Sequence, residues 1–477
     1  MVTACWYALK IVCLWLVLQG IGGFMCIRAQ EEAADVGIVD EYVRVQQVVI
    51  AGNKVTRSRV ILNELVFNKG DVLMVNRLGQ VTTRCRHNLL NTGLFNFVSV
   101  RYTLQADNTV IFYVRVDERW YWWVFPIFEV ADRNLSSFFN GGDWSRVNYG
   151  VYLKRDNFRG RNEKIMARIR LGFTKQVLLG YFSPEYKRRG GWGVFFDFRM
   201  HDQLPYTTKN NQQVYKALET EMAQVTYFGS VYYSIRSGLY HRHKLELGYH
   251  NYSVSDSIID LNPNYLTPDA TRLQFMELSY EYDYDTRDAK VYPLKGTRMQ
   301  GTAVQSGLGI WQEGLNNFKL SARIDKHWQL ENRWHWASLL YGEYNSSRSL
   351  PYVLNAGSGY DSFLNGYELY VMDGTRQASM KNYLLFTLLQ PRVKNLGFMP
   401  LTQFAKVNYA FYIKAFGDFG YVWHDNPSIS NTFVNNWQYG YGVGLDFVTF
   451  YDMVWSFNYS MNKHRQHGFF VHLNIAI

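Results

Sequence analysis

The sequence predicts a mainly β protein: a transmembrane barrel of about 16 antiparallel strands, preceded by one small α+β domain of order β-α-α-β-β. Three observations predict it. Aromatic residues make up 17% of the 477-residue chain and charged residues only 19%, below the roughly 25% usual for soluble domains. Mean hydropathy is nevertheless −0.24, and only one stretch approaches the roughly 18 apolar residues of a spanning helix, so a multi-helix membrane protein is excluded. From Trp120 onward, apolar and polar residues alternate with period two, and the two faces of such strands cancel in a hydropathy average.

Residues 1–29 read as a secretory signal. Lys10 precedes the apolar run Ile11–Leu18, and Ala29 offers a small residue before Gln30. The alternative is an uncleaved anchor helix, against which Gln19 and the glycines that follow it interrupt the stretch. Three of the four cysteines (Cys5, Cys13, Cys26) lie there, leaving Cys85 without a disulfide partner or a metal cluster. Residues 30–42 form a linker. The stretch 30–118 balances ten basic against ten acidic residues, so the positive excess of the mature chain belongs to its second part.

Residues 43–118 carry the small domain. Val43–Ile50 is a strand ending at the turn Gly52-Asn53. Thr56 is placed to cap a helix through Ile61 and Leu65, which Gly70-Asp71 breaks. Val75, Leu78, Val81, Cys85 and Leu89 fall at helical spacing up to Gly93, which puts Cys85 on an apolar stripe as a core thiol. Phe95–Leu104 and Val110–Val116 pair around Asp107-Asn108.

Residues 119–477 supply about 16 strands at roughly 22 residues per strand with its connection. Candidates begin near Trp120, Arg146, Glu163, Lys175, Gly191, Thr226, Tyr240, Thr271, Thr297, Asn317, Asn332, Lys381, Phe411, Trp437, Met453 and Gly468; Gln213–Ala223 reads equally as strand or loop. A soluble sandwich alternates too. Here, however, the polar face carries bulky charges strand after strand, among them Arg168, Arg170, Asp197, Arg199, Glu277, Asp418 and Asp446. A water-filled lumen accommodates such a face, while the apolar face meets lipid. Tyr439–Leu445 holds a glycine at every second position with no helix after it, which is strand rather than dinucleotide loop and leaves space in the lumen. His241 and His243 lack a third metal ligand.

Several motifs extend the reading. Gly52-Asn53, the run Leu89–Phe95 and the closing hairpin resemble a POTRA domain, the periplasmic module of outer-membrane assembly factors. Ser346 to Met380 is the longest connection and contains Phe363-Leu364-Asn365-Gly366-Tyr367-Glu368. It resembles the inward-folding sixth extracellular loop of the outer-membrane assembly superfamily of BamA, TamA and the two-partner secretion transporters. That loop carries an aliphatic residue, Arg, Gly, then Phe or Tyr; Leu364, Gly366 and Tyr367 match, and Asn365 stands in the Arg position. Asp283–Asp288 with Pro293–Gly296 resembles the family's turn between its eighth and ninth strands, and Glu118–Asn134 its entry into the first strand.

In that family the Arg meets acids on the next two strands. This chain has Thr387 where Glu is usual and keeps Asp418. The resemblance therefore implies an Asn365–Thr387–Asp418 contact in place of a salt bridge. It also implies an outer-membrane protein, its N-terminal domain in the periplasm, that assists assembly, insertion or translocation of client proteins, alone or with other assembly-complex subunits. Clients would add a strand along Phe95, Phe97, Val98 and Val100, then meet a weak seam between the first and last strands, at Tyr121 and Trp123 and at Phe469, Val471 and Leu473. Partners are the lipid bilayer and clients, with no nucleic acid; no catalytic residue, cofactor or metal is expected. A dedicated export channel or structural subunit is the alternative, favoured by the single small domain, the missing Arg and the terminal Ile477.

Overall fold

A computed structural model describes residues 41–130, 147–186, 190–218, 221–311, 314–360, 362–399, 402–449, 451 and 453–474. The expected signal segment lies outside them. The small domain is a four-stranded sheet of order β2-β1-β4-β3, with β1 Tyr42–Ala51, β2 Val72–Met74, β3 Phe95–Leu104 and β4 Thr109–Glu118. Helices α1 (Ser58–Asn63) and α2 (Leu78–Leu90) accompany it. β1 and β4 run parallel, so β3 is left at the sheet edge. Ile61, Leu78, Cys85, Leu89, Phe95 and Phe112 are fully buried in its core. The short strand β2 was not foreseen. Thr56 does not cap α1, whose N-cap is Arg57 without a side-chain bond; Thr56 is itself buried, against Tyr121.

The second part is one 16-stranded antiparallel sheet running in sequence order from β5 (Trp122–Val130) through β6 (Val147–Phe158), β7 (Glu163–Gly172), β8 (Thr174–Phe182) and β9 (Gly191–His201). A separate hairpin follows, β10 (Gln203–Lys209) with β11 (Gln212–Ala217). The sheet resumes with β12 (Gln224–Ser237), β13 (His241–Val254), β14 (Arg272–Asp285), β15 (Gly296–Ser306), β16 (Asn317–Gln329) and β17 (Trp334–Asn345). It ends with β18 (Arg376–Asn395), β19 (Lys406–Trp423), β20 (Gln438–Thr449), β21 (Met453–Asn462) and β22 (His467–Asn474). All sixteen start within five residues of their predicted positions. β18 starts at Arg376 as expected near Lys381, and α4 (Thr402–Ala405) leads into β19, five residues before Phe411.

The alternation sorts as a barrel requires. Val124, Phe128, Ile169, Val231, Leu245, Val443 and Phe469 are exposed on the outer face, whereas inner-face charges pair: Arg199 with Asp197 at 2.5 Å, Arg298 with Asp283 at 2.7 Å and Lys414 with Asp446 at 2.7 Å. Water-exposed apolar surface on this scale is costly; facing lipid, it is what a spanning sheet needs. No helix among the described residues is long and apolar enough to cross a membrane.

The small domain docks on one end of the barrel, the near end. Arg236 of β12 forks onto Glu64 at 2.7 and 3.0 Å, Arg57 donates its backbone N–H to the Gly160 carbonyl at 2.9 Å, and Asn157 Nδ2 donates to Thr56 Oγ1 at 2.8 Å. The far end is covered by the β10–β11 hairpin, by α3 (Asp256–Leu261) and by a second apolar core of Leu204, Ile258, Tyr265, Leu266 and Phe275. The hairpin turns on Asn210 and Asn211, both at positive φ (53° and 60°), which a two-residue primed turn requires and Asn tolerates.

Gly52 ends β1 at φ +90°, and a Cβ there would sit 2.0 Å from the Val116 carbonyl oxygen. Gly52→Ala is therefore expected to destabilise the small domain by about 2–3 kcal/mol, read as faster proteolysis within 43–118 while the barrel of the intact chain stays protected.

Candidate functional site

Two features of the barrel are built for more than closure: a loop folded into its lumen, and the two strands at the ends of its sheet.

The loop joins β17 to β18 and enters from the far end. Ser358 and Met372 form an isolated antiparallel bridge at its base. Leu364, Tyr367 and Met372 are buried with Val422, Phe433 and Val434 in a small core of their own. Gly420 makes room for Leu364, since a Cβ there would lie 2.8 Å from Leu364 Cδ1. Gly440 makes room for the loop backbone: a Cβ would fall 1.8 Å from the Asn365 carbonyl oxygen. The lumen-facing glycine of β20 thus has a definite tenant.

Asn365 is the anchor. Its backbone N–H and its Nδ2 both donate to Asp418 Oδ2, at 2.9 and 2.8 Å, and Nδ2 also lies 3.2 Å from the Tyr383 hydroxyl. Asp418 is completely buried. Lys381 Nζ donates to the Phe363 carbonyl oxygen and stands 5.3 Å from the Phe363 ring centroid; Lys381 and Asp418 are direct cross-strand partners in the β18–β19 ladder. The cation that the loop lacks is thus supplied by the wall. Tyr367 donates its hydroxyl to Gln438 Oε1 at 2.8 Å and meets the Phe433 ring edge-on at 5.5 Å.

Thr387 is not part of this contact. It pairs with Tyr412, near the small-domain end of β18, and its Oγ1 lies 3.2 Å from His335 Nε2. The strand register explains the correction: Thr387 is on the same face as Lys381 and Tyr383 but six residues past Lys381, about 20 Å along a strand. Tyr383 and Lys381 take the place assigned to it. Neither follows from a motif; the period-two alternation through Lys381, Tyr383 and Leu385 was the signal available.

The loop also reaches the last strand. Phe363 stacks on His472 of β22 with ring centroids 5.3 Å apart, Glu368 Oε1 lies 3.8 Å from His472 Nε2, and Asn462 of β21 donates Nδ2 to the Gly366 carbonyl at 3.0 Å. One loop therefore touches β18, β19, β20, β21 and β22. From the far side the β10–β11 hairpin holds it: the Val371 N–H donates to the Asn211 carbonyl at 2.8 Å, and Asn211 Oδ1 accepts from the Phe433 N–H at 3.1 Å.

At the ends of the sheet, β5 is hydrogen-bonded to β6 and β22 to β21; among the described residues neither has a partner on its other side. Proline sits in β5 at Pro126, a residue that central strands exclude and edges admit. Phe469, Val471 and Leu473 point outward from β22 and are exposed. Trp123 is fixed at the foot of β5 in an aromatic cluster, 4.9 Å from Tyr451 and 6.2 Å from Phe404, and the Trp120 N–H donates to the Tyr451 hydroxyl at 2.9 Å. Tyr121 stands apart from the seam. It precedes β5, is buried in the small-domain core, donates its hydroxyl to the Leu94 carbonyl at 3.0 Å and lies 3.1 Å from Thr56 Oγ1. Burial raises its pKa far above the ordinary tyrosine value, with Glu118 adding to the rise. The linker is pinned there before the first strand begins.

On β3, Phe95 is fully buried and Phe97, Val98 and Val100 are partly covered. Among the described residues the strand's outer edge has no pairing strand.

Replacing Asn365 with Leu removes the Nδ2 donor from the buried Asp418 and leaves only the backbone N–H, a loss of about 1–3 kcal/mol of loop seating. Single-channel recording is expected to find higher or flickering conductance for Asn365→Leu and for Lys381→Met, and the unaltered pattern for Thr387→Val.

Comparison with known proteins agrees with this architecture. Residues 43–119 match a POTRA family model described as a surface antigen variable number repeat, and residues 157–380 match the Omp85 superfamily domain. No curated protein sequence matches the chain. Among solved structures, BamA from Haemophilus ducreyi lacking POTRA domains 1–3 is similar at 15% identity and TM-score 0.50, over 91% of this chain and 84% of that one. CdiB from Escherichia coli is similar at 11% identity and TM-score 0.55, over 91% of this chain and 76% of that one. At these identities the structures speak for the fold, and the two sequence models match residues 43–119 and 157–380, one stretch in each part. The chain is a POTRA plus β-barrel outer-membrane protein that carries an Omp85 superfamily domain over residues 157–380.

Proposed function

We propose that the chain assembles client proteins into the outer membrane through its own wall, with the POTRA domain on the periplasmic side. The observation that carries the reading is that β5 and β22 each lack a partner on one side among the described residues. Unpaired edges inside a bilayer are costly, because nothing in hydrocarbon replaces the missing hydrogen bonds. A client strand that supplies those bonds is stabilised as it enters. The open outer edge of β3 offers the earlier station, where an extended client segment adds to the sheet by backbone pairing. No catalytic residue is needed, since the gain comes from pairing that the seam leaves unmade.

The loop in the lumen supports exit through the wall. It fills the lumen against β18–β22, and the β10–β11 hairpin covers it from the far end. A client taking the lumen would have to displace both; one taking the seam displaces neither. Through His472 the loop also bears on β22, so its seating sets where that strand lies. The second reading, a dedicated export channel, requires the loop to leave.

A cross-link across the seam separates the two. With cysteines at Val124 of β5 and Val471 of β22 joined, liposomes carrying the chain are expected to assemble a model eight-stranded barrel client at least tenfold more slowly, with recovery on reduction. Unchanged assembly under the cross-link contradicts passage through the seam. Export of a secreted passenger that persists under the cross-link and stops when the loop is tethered points to the channel.

A further inference from the structure

Between the POTRA domain and the near end of the barrel lies a cavity of about 460 Å³, lined from α2, β7, β12, β13, β14 and the turn after β14. Its charges do not cancel. Each lining carboxylate has a guanidinium: Glu64 has Arg236 at 2.7 Å, Glu185 has Arg242 at 3.2 Å, Asp285 has Arg287 at 2.8 Å and Asp283 has Arg298 at 2.7 Å. Lys164 of β7 and Lys290 of the turn remain. Both line the cavity with exposed side chains, and neither side chain has a hydrogen-bond or ion-pair partner among the described residues.

We propose that this vestibule is a binding site for a small phosphorylated anion, held by Lys164 and Lys290. The two uncommitted ammonium groups ask for a ligand with two or more negative charges. The forked guanidiniums are already committed to carboxylates, which leaves compact ammonium point charges; these suit phosphate oxygens and give up the planar geometry by which Arg selects carboxylates. The cavity falls in the size range of small-molecule sites, roughly 300–1,000 Å³, too small for a folded segment of polypeptide. Asn88, Asn162 and Ser183 add neutral polar groups to its wall. The site spans both domains, so an occupant joins them, and it does not depend on whether clients use the seam.

Proton linkage gives the site a signature. Desolvation by the protein crowded around it, then the nearby Arg242, pushes the Lys290 ammonium down to about 8. Arg242 of β13 and Arg236 of β12 oppose its charge, while Asp285 of β14 and Glu64 of the POTRA domain favour it. The protonated form binds an anion, so affinity is present below pH 8 and falls as pH rises through it.

Calorimetric titration of the purified chain in neutral detergent with sodium pyrophosphate tests the site. Saturable binding near one equivalent is expected. Lys164→Gln or Lys290→Gln should weaken it at least tenfold, the double variant should abolish it, and the fall between pH 7 and 9 should be lost in Lys290→Gln. Heat-modifiable gel migration reports that each variant keeps its barrel, and Lys406→Gln, at an exposed pair with Asp117, should bind unchanged. Phosphatidylglycerol in mixed micelles that displaces pyrophosphate assigns the site to a lipid headgroup; failure to displace assigns it to a soluble phosphate compound. Absence of saturable binding, undiminished affinity in the double variant, or equal affinity for an acidic hexapeptide overturns the proposal.

Discussion

A sheet that crosses hydrocarbon must satisfy its backbone N–H and C=O groups within itself, and among the described residues it leaves β5 and β22 each unpaired along one side. Among the described residues fourteen strands, β6 to β21 with the β10–β11 hairpin set aside, are paired on both sides; β5 and β22 are paired on one. Flanking structure compensates at both ends of that gap. The foot of β5 is fastened by Trp120, Trp123, Phe404 and Tyr451, and the linker before it is driven into the POTRA core at Tyr121. The inner face of β22 is steadied by the lumen loop through Phe363 and Glu368. A seam left unmade and yet supported on both sides is poised rather than broken.

The loop anchor is a lesson in charge redistribution. A buried carboxylate needs donors or a cation, and removing one partner alone costs several kcal/mol. Asp418 keeps two donors from Asn365, while the positive charge moves to Lys381 on the facing strand, where it holds the Phe363 carbonyl instead. Loop and wall exchange roles, and the loop stays seated. The same economy appears in the glycines: Gly420 and Gly440 are small because Leu364 and the Asn365 carbonyl occupy the space a side chain would take.

Much of this was legible in sequence. Strand alternation is local, so the barrel strands, the inward charges and the turn glycines could be read from period two and turn chemistry. The core thiol Cys85 followed from helical spacing and is fully buried. What resisted reading was register and partnership across elements. Tyr121 continues the aromatic alternation of β5, so nothing local marks it as the last residue of the POTRA core. Thr387 was set beside Asn365 by analogy of motif order, and only the pairing of Lys381 with Asp418 shows how far along β18 it lies. Thr56 has the look of a helix cap, yet its hydroxyl serves Asn157 on the barrel. The β10–β11 hairpin hid because strands outside the barrel alternate like those within it, although Asn210-Asn211 marked its turn.

Hydrogen–deuterium exchange of the chain in lipid nanodiscs measures the unpaired edges directly. Amides of β5 and β22 that face the seam are expected to exchange orders of magnitude faster than those of β13 and β14, which are paired along 13 residues. Equal protection across all sixteen strands would mean that β5 and β22 are bonded to each other in the membrane, and would contradict the account.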